Sequence, residues 1–323
     1  MDRILVKIVL GGGNDGLNTL IPLDTANNNA YYTLRPTIGI ANPIELDAGN
    51  AGVQLGIHPA ATALKDLYDA GKASIIQGVG YPNPNKSHFI GTDIMVGAKD
   101  GNTQSETGSS YLGEWLNVKY PNYPEAFPNL TMPSVLGLGL GFALPGVIFN
   151  RSSGPGMGII LKGSPTTFRT LVNSVNQPQT NPLGITASKR KIAQWYRVDS
   201  GSDQYSDVLA NAYLAQNNVV AYSGGKLAEQ LKDIARLIGS GEKTPVYVCS
   251  IGGFDTHAGQ VSSGDNTTGT HADLLADTFG SIKDFLDDLN AMGTSIADRV
   301  LVQTFSEFGR QVGENASLGT DHG

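Results

Sequence analysis

The sequence predicts an α/β fold in which a mostly parallel central sheet has helices on its faces. Short apolar runs rich in Ile and Val recur along the 323 residues, as is typical of buried strands. Amphipathic segments with helical spacing lie between several of these runs. The order strand, helix, strand occurs at least twice, and this order favours parallel strands joined by crossover helices.

The first such unit lies near the start of the chain. Residues 4–10 form an apolar run that ends at three glycines, so we predict a buried strand there. Residues 58–71 carry apolar side chains near helical spacing, and Gly71 is suited to end that helix. A second short strand is predicted at residues 73–80.

The middle of the chain has a different composition. About residues 83–200 are dense in Gly, Pro, Asn and Ser. We interpret this stretch as a loop-rich insertion with short strands and not as a separate domain. Residues 1–323 are therefore predicted to form a single domain.

Regular structure is expected again in the last third. Residues 224–241 place Leu and Ile on one face of a helix, and residues 245–251 form an apolar run typical of a strand. Residues 271–292 repeat apolar side chains at alternating steps of four and three, which predicts a long amphipathic helix. A strand at residues 299–305 completes the pattern.

Composition excludes several classes of protein. Charged residues make up 16% of the chain, the net charge is −7 and no run of Lys or Arg occurs, so a nucleic-acid partner is not expected. The single cysteine, Cys249, excludes an intramolecular disulfide framework and lies in an apolar run. No apolar stretch reaches the roughly 18 to 20 residues of a membrane span. The sequence predicts no particular oligomeric state.

Polar residues with metal-binding or catalytic chemistry follow the predicted strands. Ligands of parallel sheets bind beyond the carboxyl ends of the strands, so the loops after the strands are expected to share one rim. The candidates in these loops are Asn14, Asp15, Lys86, Ser87, His88, Asp255, His257, Glu307, Arg310, Asp321 and His322. The residues at the carboxyl ends of distant strands are therefore predicted to converge.

Carboxylate and imidazole together suit a divalent cation, with zinc first and manganese, magnesium or calcium as more oxygen ligands are added. One or two such ions could hold the oxygens of an ester while Ser87 attacks. Glu307 is a possible ligand, an acceptor for a ligating His, or a helix-start carboxylate. Asn14, Lys86, His88 and Arg310 are possible substrate-binding residues, although Arg310 could equally form a structural salt bridge.

Each candidate also has an ordinary structural explanation. Asp15 stands in a Gly-rich turn, where Asp commonly bonds its own backbone. Ser87 could be one more loop serine, and Asp321 with His322 could belong to a polar loop. The stretch "GGGNDG" also satisfies the dinucleotide fingerprint G-x-G-x-x-G after a strand. However, Pro22 and an Asn run follow where a long helix should begin, which disfavours a nucleotide.

Five ordered motifs carry a resemblance to a known family. The stretches "GGNDGLNTLIPL", "YYTLRP", "GVGYPNPNKSHF", "GGFDTH" and "FSEFGRQVGENASLGTDHG" resemble the bacterial domain-of-unknown-function 1501 family, over essentially the whole chain. That family is usually exported with a twin-arginine signal. It is placed among the alkaline-phosphatase-like hydrolases, so the resemblance implies a three-layer α/β/α sandwich and a periplasmic or secreted protein.

The resemblance also implies roles for individual residues. Asp15, Asp321 and His322 would hold one metal, Asp255 and His257 would hold the other, and Ser87 would be the nucleophile.

The chain departs from the superfamily pattern in three ways. One residue separates the Asp and His of "GGFDTH", where phosphatases usually have three. A further His is expected downstream of "DHG", so we expect the chain to be incomplete at its C-terminus. Ser87 is not in the C/S-x-P-x-R motif of formylglycine sulfatases.

Two functions remain open from the sequence. The first is an exported metal-dependent hydrolase of small or polymeric anionic esters: phosphate monoesters, phosphodiesters or sulfate esters. The alternative is a noncatalytic envelope or surface protein that retains a degenerate hydrolase fold.

Overall fold

The fold is taken from a computed structural model, which describes residues 3–47, 54–97, 108–123, 135–141, 148–153, 156–175, 205–293 and 295–323. In chain order the elements are β1 (Ile4–Gly11), α1 (Gly16–Thr19), β2 (Leu20–Pro22), α2 (Thr25–Leu34), β3 (Ile44–Glu45), β4 (Leu55–Ile57), α3 (Thr62–Asp69), α4 (His88–Gly97), α5 (Tyr111–Lys119), β5 (Gly137–Leu140), β6 (Gly158–Leu161), α6 (Pro165–Val175), α7 (205–215), α8 (Lys226–Gly239), β7 (Val246–Gly252), α9 (Thr270–Met292) and β8 (Val300–Phe305). Short 3-10 turns at Pro59–Ala61 and Ala297–Arg299 precede α3 and β8.

The central sheet has five parallel strands in the order β6-β5-β7-β1-β8. Strand β1 lies between β7 and β8, with Gly11 opposite Gly252 and Val9 opposite Phe305. The carboxyl ends of these three strands therefore meet at one edge, and the loops that leave them are neighbours. The fold is α/β with a parallel central sheet and flanking helices, as the sequence predicts.

Apolar side chains hold the sheet between its helices. Six of the seven residues of β7 are buried, and the buried leucines and isoleucines of α8 face the same core as Leu275 and Phe285 of α9. Burying each such side chain contributes roughly 1.5–3 kcal/mol before the entropic cost of ordering the chain. This core fixes the carboxyl ends of the strands, where the loops with the candidate site residues begin.

Glycines in β5 and β6 make room for an aromatic ring. A Cβ added at Gly137 would lie 2.5 Å from the ring of Phe149, and one added at Gly158 would lie 2.7 Å from it. Phe149 is buried against both strands because neither residue has a side chain. Close packing against Phe149 thus explains the glycines at positions 137 and 158.

A second, smaller sheet stands beside the first. Its three antiparallel strands lie in the order β2-β4-β3. Ile21, Tyr31 and Ile40 form a separate buried cluster next to it. Its strand β2 lies shortly after the loop that leaves β1.

Most of the predicted elements are confirmed. The strands expected at residues 4–10, 245–251 and 299–305 correspond to β1, β7 and β8, and the helix expected at residues 271–292 corresponds to α9. Within the described ranges, no helix has both the length and the apolar character that a bilayer-crossing segment needs.

The strand predicted at residues 73–80 is wrong. This segment has no regular structure and is largely exposed, with Ile76 81% and Val79 70% accessible. Gly78 has φ 66°, a left-handed value that interrupts an extended chain. Apolar composition alone therefore overstated its tendency to join the sheet.

The stretch interpreted as an insertion contributes to the same central sheet. It includes α4, α5 and α6, together with β5 and β6, which pair next to β7. Part of this stretch, including residues 176–200, lies outside the described residues. The boundaries of the insertion and the single-domain interpretation stay predictions.

Candidate metal centre

Four polar side chains converge beyond the carboxyl ends of β1, β7 and β8. Oδ1 of Asp255 lies 3.1 Å from Nε2 of His257 and 3.0 Å from Nε2 of His322. The two Nε2 atoms are 2.9 Å apart. Oδ2 of Asp255 lies 3.3 Å from Nε2 of His88. We call these four residues the rim cluster.

The other nitrogen of each imidazole has a hydrogen-bond acceptor. Nδ1 of His322 lies 2.8 Å from the backbone carbonyl of Lys86. A carbonyl oxygen can only accept, so Nδ1 carries the proton and, in a neutral imidazole, Nε2 presents its lone pair. His322 is therefore oriented with an unprotonated nitrogen directed toward Asp255.

Carboxylates orient the other two imidazoles in the same way. Nδ1 of His257 lies 3.0 Å from Oδ1 of Asp321, and Nδ1 of His88 lies 2.8 Å from Oε1 of Glu307. Each carboxylate accepts the Nδ1 proton, and in a neutral imidazole Nε2 then presents its lone pair. Histidines that bind metals usually donate their other N–H to a carboxylate or a carbonyl in this manner.

The resulting arrangement has the spacing of a small cation site. Nε2 of His257, Nε2 of His322 and Oδ1 of Asp255 lie 2.9–3.1 Å from one another, and either a proton on an imidazole or a metal ion would remove the repulsion between their lone pairs. Three atoms at this spacing can all lie about 2.1 Å from one ion. Atoms of His88, Asp255 and His322 also lie within 4.8 Å of one another, so His88 is within reach of the same position.

Carboxylates dominate the charges around the rim cluster. Although partial burial raises the pKa of Asp255, Arg310 and the neighbouring histidines together lower that pKa to about 2. The hydrogen bond from His257 lowers the pKa of Asp321. Glu307 accepts the backbone N–H of Gly12 at 2.8 Å. Three carboxylates thus surround the histidines, and the guanidinium of Arg310 offsets only one of them.

Arg310 lies beneath the rim cluster and contacts Asp255. Its side chain is fully buried and donates to Oδ1 of Asp255 at 2.6 Å. It also donates to the carbonyls of Gly12, Gly13, Phe254 and Thr320. These contacts occupy the guanidinium with the rim loops and leave it badly placed to bind an anionic substrate.

Asp15 does not join the rim cluster. Its carboxylate is 1% exposed and contacts Arg35 and Gln260, each at 2.6 Å. It also caps α1 by accepting the N–H groups of Leu17 and Asn18. The helix opened at Gly16, the third glycine of the fingerprint, has only four residues, so Asp15 serves a short turn and a buried arginine.

The pKa of Asp15 reflects the same partners. Burial raises it, but the charge and the hydrogen bond of Arg35, together with His271 and Gln260, lower the pKa below its ordinary value. The metal-ligand role predicted for Asp15 finds no support in this placement. The sequence contains Arg35 within "YYTLRP", but no pattern there indicates that the two side chains pair.

Ser87 lies between Lys86, whose carbonyl accepts from His322, and His88 of the rim cluster. Its backbone carbonyl accepts the N–H of Gly91 at 2.7 Å, so it stands at the start of α4. Its hydroxyl has no hydrogen-bond partner within the described part of the chain. Lys86, the preceding residue, is exposed.

The described side-chain contacts of Asn14 are with residues outside the rim cluster. Its side chain contacts Thr19 at 3.1 Å and Nε2 of His271 at 3.0 Å. Burial lowers the pKa of His271 to about 4, so this histidine is neutral. Both residues belong to the supporting structure of the first rim loop.

Two residues near the rim cluster were missed by the sequence argument. The ring of Phe308 lies 4.6 Å from that of His322 and 4.9 Å from that of His88, measured between centroids. The side-chain amide of Asn315 donates to the carbonyl of His257 and to Asp321. Both follow β8 within "SEFGRQVGEN", but their residue types alone do not mark them as part of a site.

Comparisons with known proteins found one family. No curated protein and no solved structure matched the chain. Residues 234–323 match the family described as "Protein of unknown function (DUF1501)". The match includes β7, α9 and β8 with Asp255, His257 and His322, whereas His88 lies outside it. This match supports the DUF1501 family over the segment that supplies most of the rim cluster.

Proposed function

We propose that this protein is an exported, metal-dependent hydrolase of phosphate monoesters, phosphodiesters or sulfate esters, with an alkaline-phosphatase-like arrangement. The convergence of Asp255, His257 and His322 is the observation that carries this proposal. Three lone-pair atoms held 2.9–3.1 Å apart, with the histidines oriented from behind, have the chemistry of a divalent metal site.

One divalent ion would be held by Asp255, His257 and His322, with His88 as a fourth ligand. Zinc is our first choice, and manganese, magnesium or calcium are alternatives. When bound, such an ion would polarise the ester oxygens and favour the ionised form of a hydroxyl. A second ion would need ligands in addition to these four, because Asp15 is engaged with Arg35.

Ser87 is the proposed nucleophile. Helix α4 has ten residues and begins directly after Ser87, so the N–H groups and dipole of its first turn favour negative charge on the Ser87 oxygen. That oxygen would bond to phosphorus or sulfur while its proton passes to solvent. The bond to the leaving oxygen would break, and the released alcohol would take up a proton. Water would then hydrolyse the seryl ester.

Metal content and turnover measured on the same samples test this proposal. We expect purified protein to contain about one divalent ion per chain and to hydrolyse an ester in a panel of aryl phosphates, diaryl phosphates and aryl sulfates. Ser87→Ala should lose turnover and keep the metal, whereas Ser263→Ala, at an exposed serine, should keep both.

Two outcomes would contradict the proposal. Full activity in Ser87→Ala would remove the nucleophile role. Protein without a divalent ion and without activity on every ester would favour a noncatalytic envelope or surface protein.

A further inference from the structure

We infer that Arg310 is a positioning residue that sets the metal affinity of the rim cluster by joining three loops beneath Asp255. This inference rests on the metal site of the proposed function and assigns Arg310 a task other than binding substrate.

Arg310 links backbone from three separate parts of the chain. Its Nε donates to the carbonyl of Gly13 at 2.7 Å, and its Nη1 donates to that of Thr320 at 2.8 Å. Its Nη2 reaches the carbonyls of Gly12 and Phe254. These acceptors belong to the loop after β1, the loop after β7 and the last residues of the chain. A planar guanidinium can bond several acceptors at once, which an ammonium cannot do in the same geometry.

The same side chain fixes the central ligand. Nη2 of Arg310 lies 2.6 Å from Oδ1 of Asp255, the oxygen that is also within 3.1 Å of His257 and His322. Arg310 therefore holds this oxygen on one side, while His257 approaches it from the same loop as Asp255 and His322 approaches it from the segment after β8. Without the guanidinium, the carboxylate of Asp255 could rotate about its side-chain bonds, because it is 44% exposed.

The backbone around Arg310 is also tied to a ligand. Arg310 forms an isolated antiparallel bridge with His322, and a Cβ added at Gly323 would lie 2.7 Å from the carbonyl carbon of Arg310. The position of His322 therefore depends on residues 309–310. One residue thus controls the spacing between the carboxylate and one imidazole.

A matched variant is available because the chain has a second buried arginine of the same type. Arg35 is also fully buried, donates to two backbone carbonyls and pairs with one carboxylate, that of Asp15. Its carboxylate partner is outside the rim cluster. Arg310→Lys and Arg35→Lys each replace a buried guanidinium that pairs with a carboxylate, but only the first changes a side chain that contacts a proposed metal ligand.

The test is zinc affinity, measured by competition with a fluorescent chelator on full-length protein. We expect Arg310→Lys to weaken zinc binding about 10- to 100-fold, the range found when residues behind metal ligands are changed. Arg35→Lys should change the zinc affinity less than about threefold, even if it lowers the melting temperature as much as Arg310→Lys does. Equal zinc affinity in Arg310→Lys and the unmodified protein, or an equal loss in both variants, would overturn the inference.

A second measurement needs no variant and covers the case in which Arg310→Lys does not fold. In protein labelled with 15N-arginine, adding zinc should shift the Nε resonance of Arg310 and leave that of Arg35 unchanged. No shift at Arg310 on saturation with zinc would contradict the inference alone. Absence of any zinc binding by the unmodified protein would contradict the proposed function, and the inference with it.

Discussion

Replacing Asp15 by Asn distinguishes a structural carboxylate from a metal ligand. The substitution keeps the size of the side chain and part of its capping ability, but it removes the charge that faces Arg35. Both side chains are almost completely buried, at 0% and 1% exposure, and their atoms are 2.6 Å apart. Removing one partner of a buried ion pair costs about 3–5 kcal/mol, because the other charge stays buried without compensation.

We therefore expect Asp15→Asn to lower the free energy of unfolding by about 3–5 kcal/mol. Urea unfolding followed by circular dichroism measures this change. The double variant Asp15→Asn/Arg35→Met serves as a control, since it removes both charges and should recover part of the lost stability. The metal content of the folded protein should be the same in all three proteins.

The opposite pattern would refute this reasoning. If Asp15→Asn folded as stably as the unmodified protein but lost its divalent ion, the carboxylate would be a ligand and the pairing with Arg35 would be secondary. The placement of Asp15 outside the rim cluster would then be wrong.

Three further predictions concern the rim and the sheet. Gly12→Ala should lower the melting temperature and the metal content together, because the added Cβ would lie 2.2 Å from the backbone nitrogen of Asp255 at φ 121°; unchanged metal content would contradict this. Asp321→Ala should weaken zinc binding about 10-fold, because His257 loses the acceptor that orients it; equal affinity would show that Asp321 is dispensable. Burial lowers the pKa of Lys7 to about 8, so the folded protein releases this proton before the unfolded chain does. The unfolding free energy of the unmodified protein, relative to Lys7→Met, should therefore rise between about pH 8 and pH 10, and a flat difference would contradict the shift.

The sequence was most informative where periodicity and burial coincide. Strands β1, β7 and β8 are short apolar runs bounded by polar or glycine residues, and α9 repeats apolar residues at helical spacing, so each was predictable from local pattern. Residues 73–80 are similarly apolar, but a strand is stable only when it pairs with another strand. The local sequence does not show whether such a partner is present. The antiparallel strands β2, β3 and β4 were missed because each has only two or three residues.

The candidate site was predictable in its location but less so in its roles. Parallel strands end at one edge, so the expectation that Asp255, His257 and His322 lie together required only the strand order. The tasks of Arg310 and Asp15 depend on which buried group each side chain meets. Those partners come from distant parts of the chain, and residue type alone does not reveal them.

The central claim is that Asp255, His257 and His322 bind one divalent ion. Anomalous diffraction from crystals of the zinc-loaded protein, collected at the zinc edge, tests it most directly. We predict one strong peak about 2.1 Å from Oδ1 of Asp255 and from Nε2 of both His257 and His322. No peak at this position, or a peak beside Asp15 in its place, would contradict the claim.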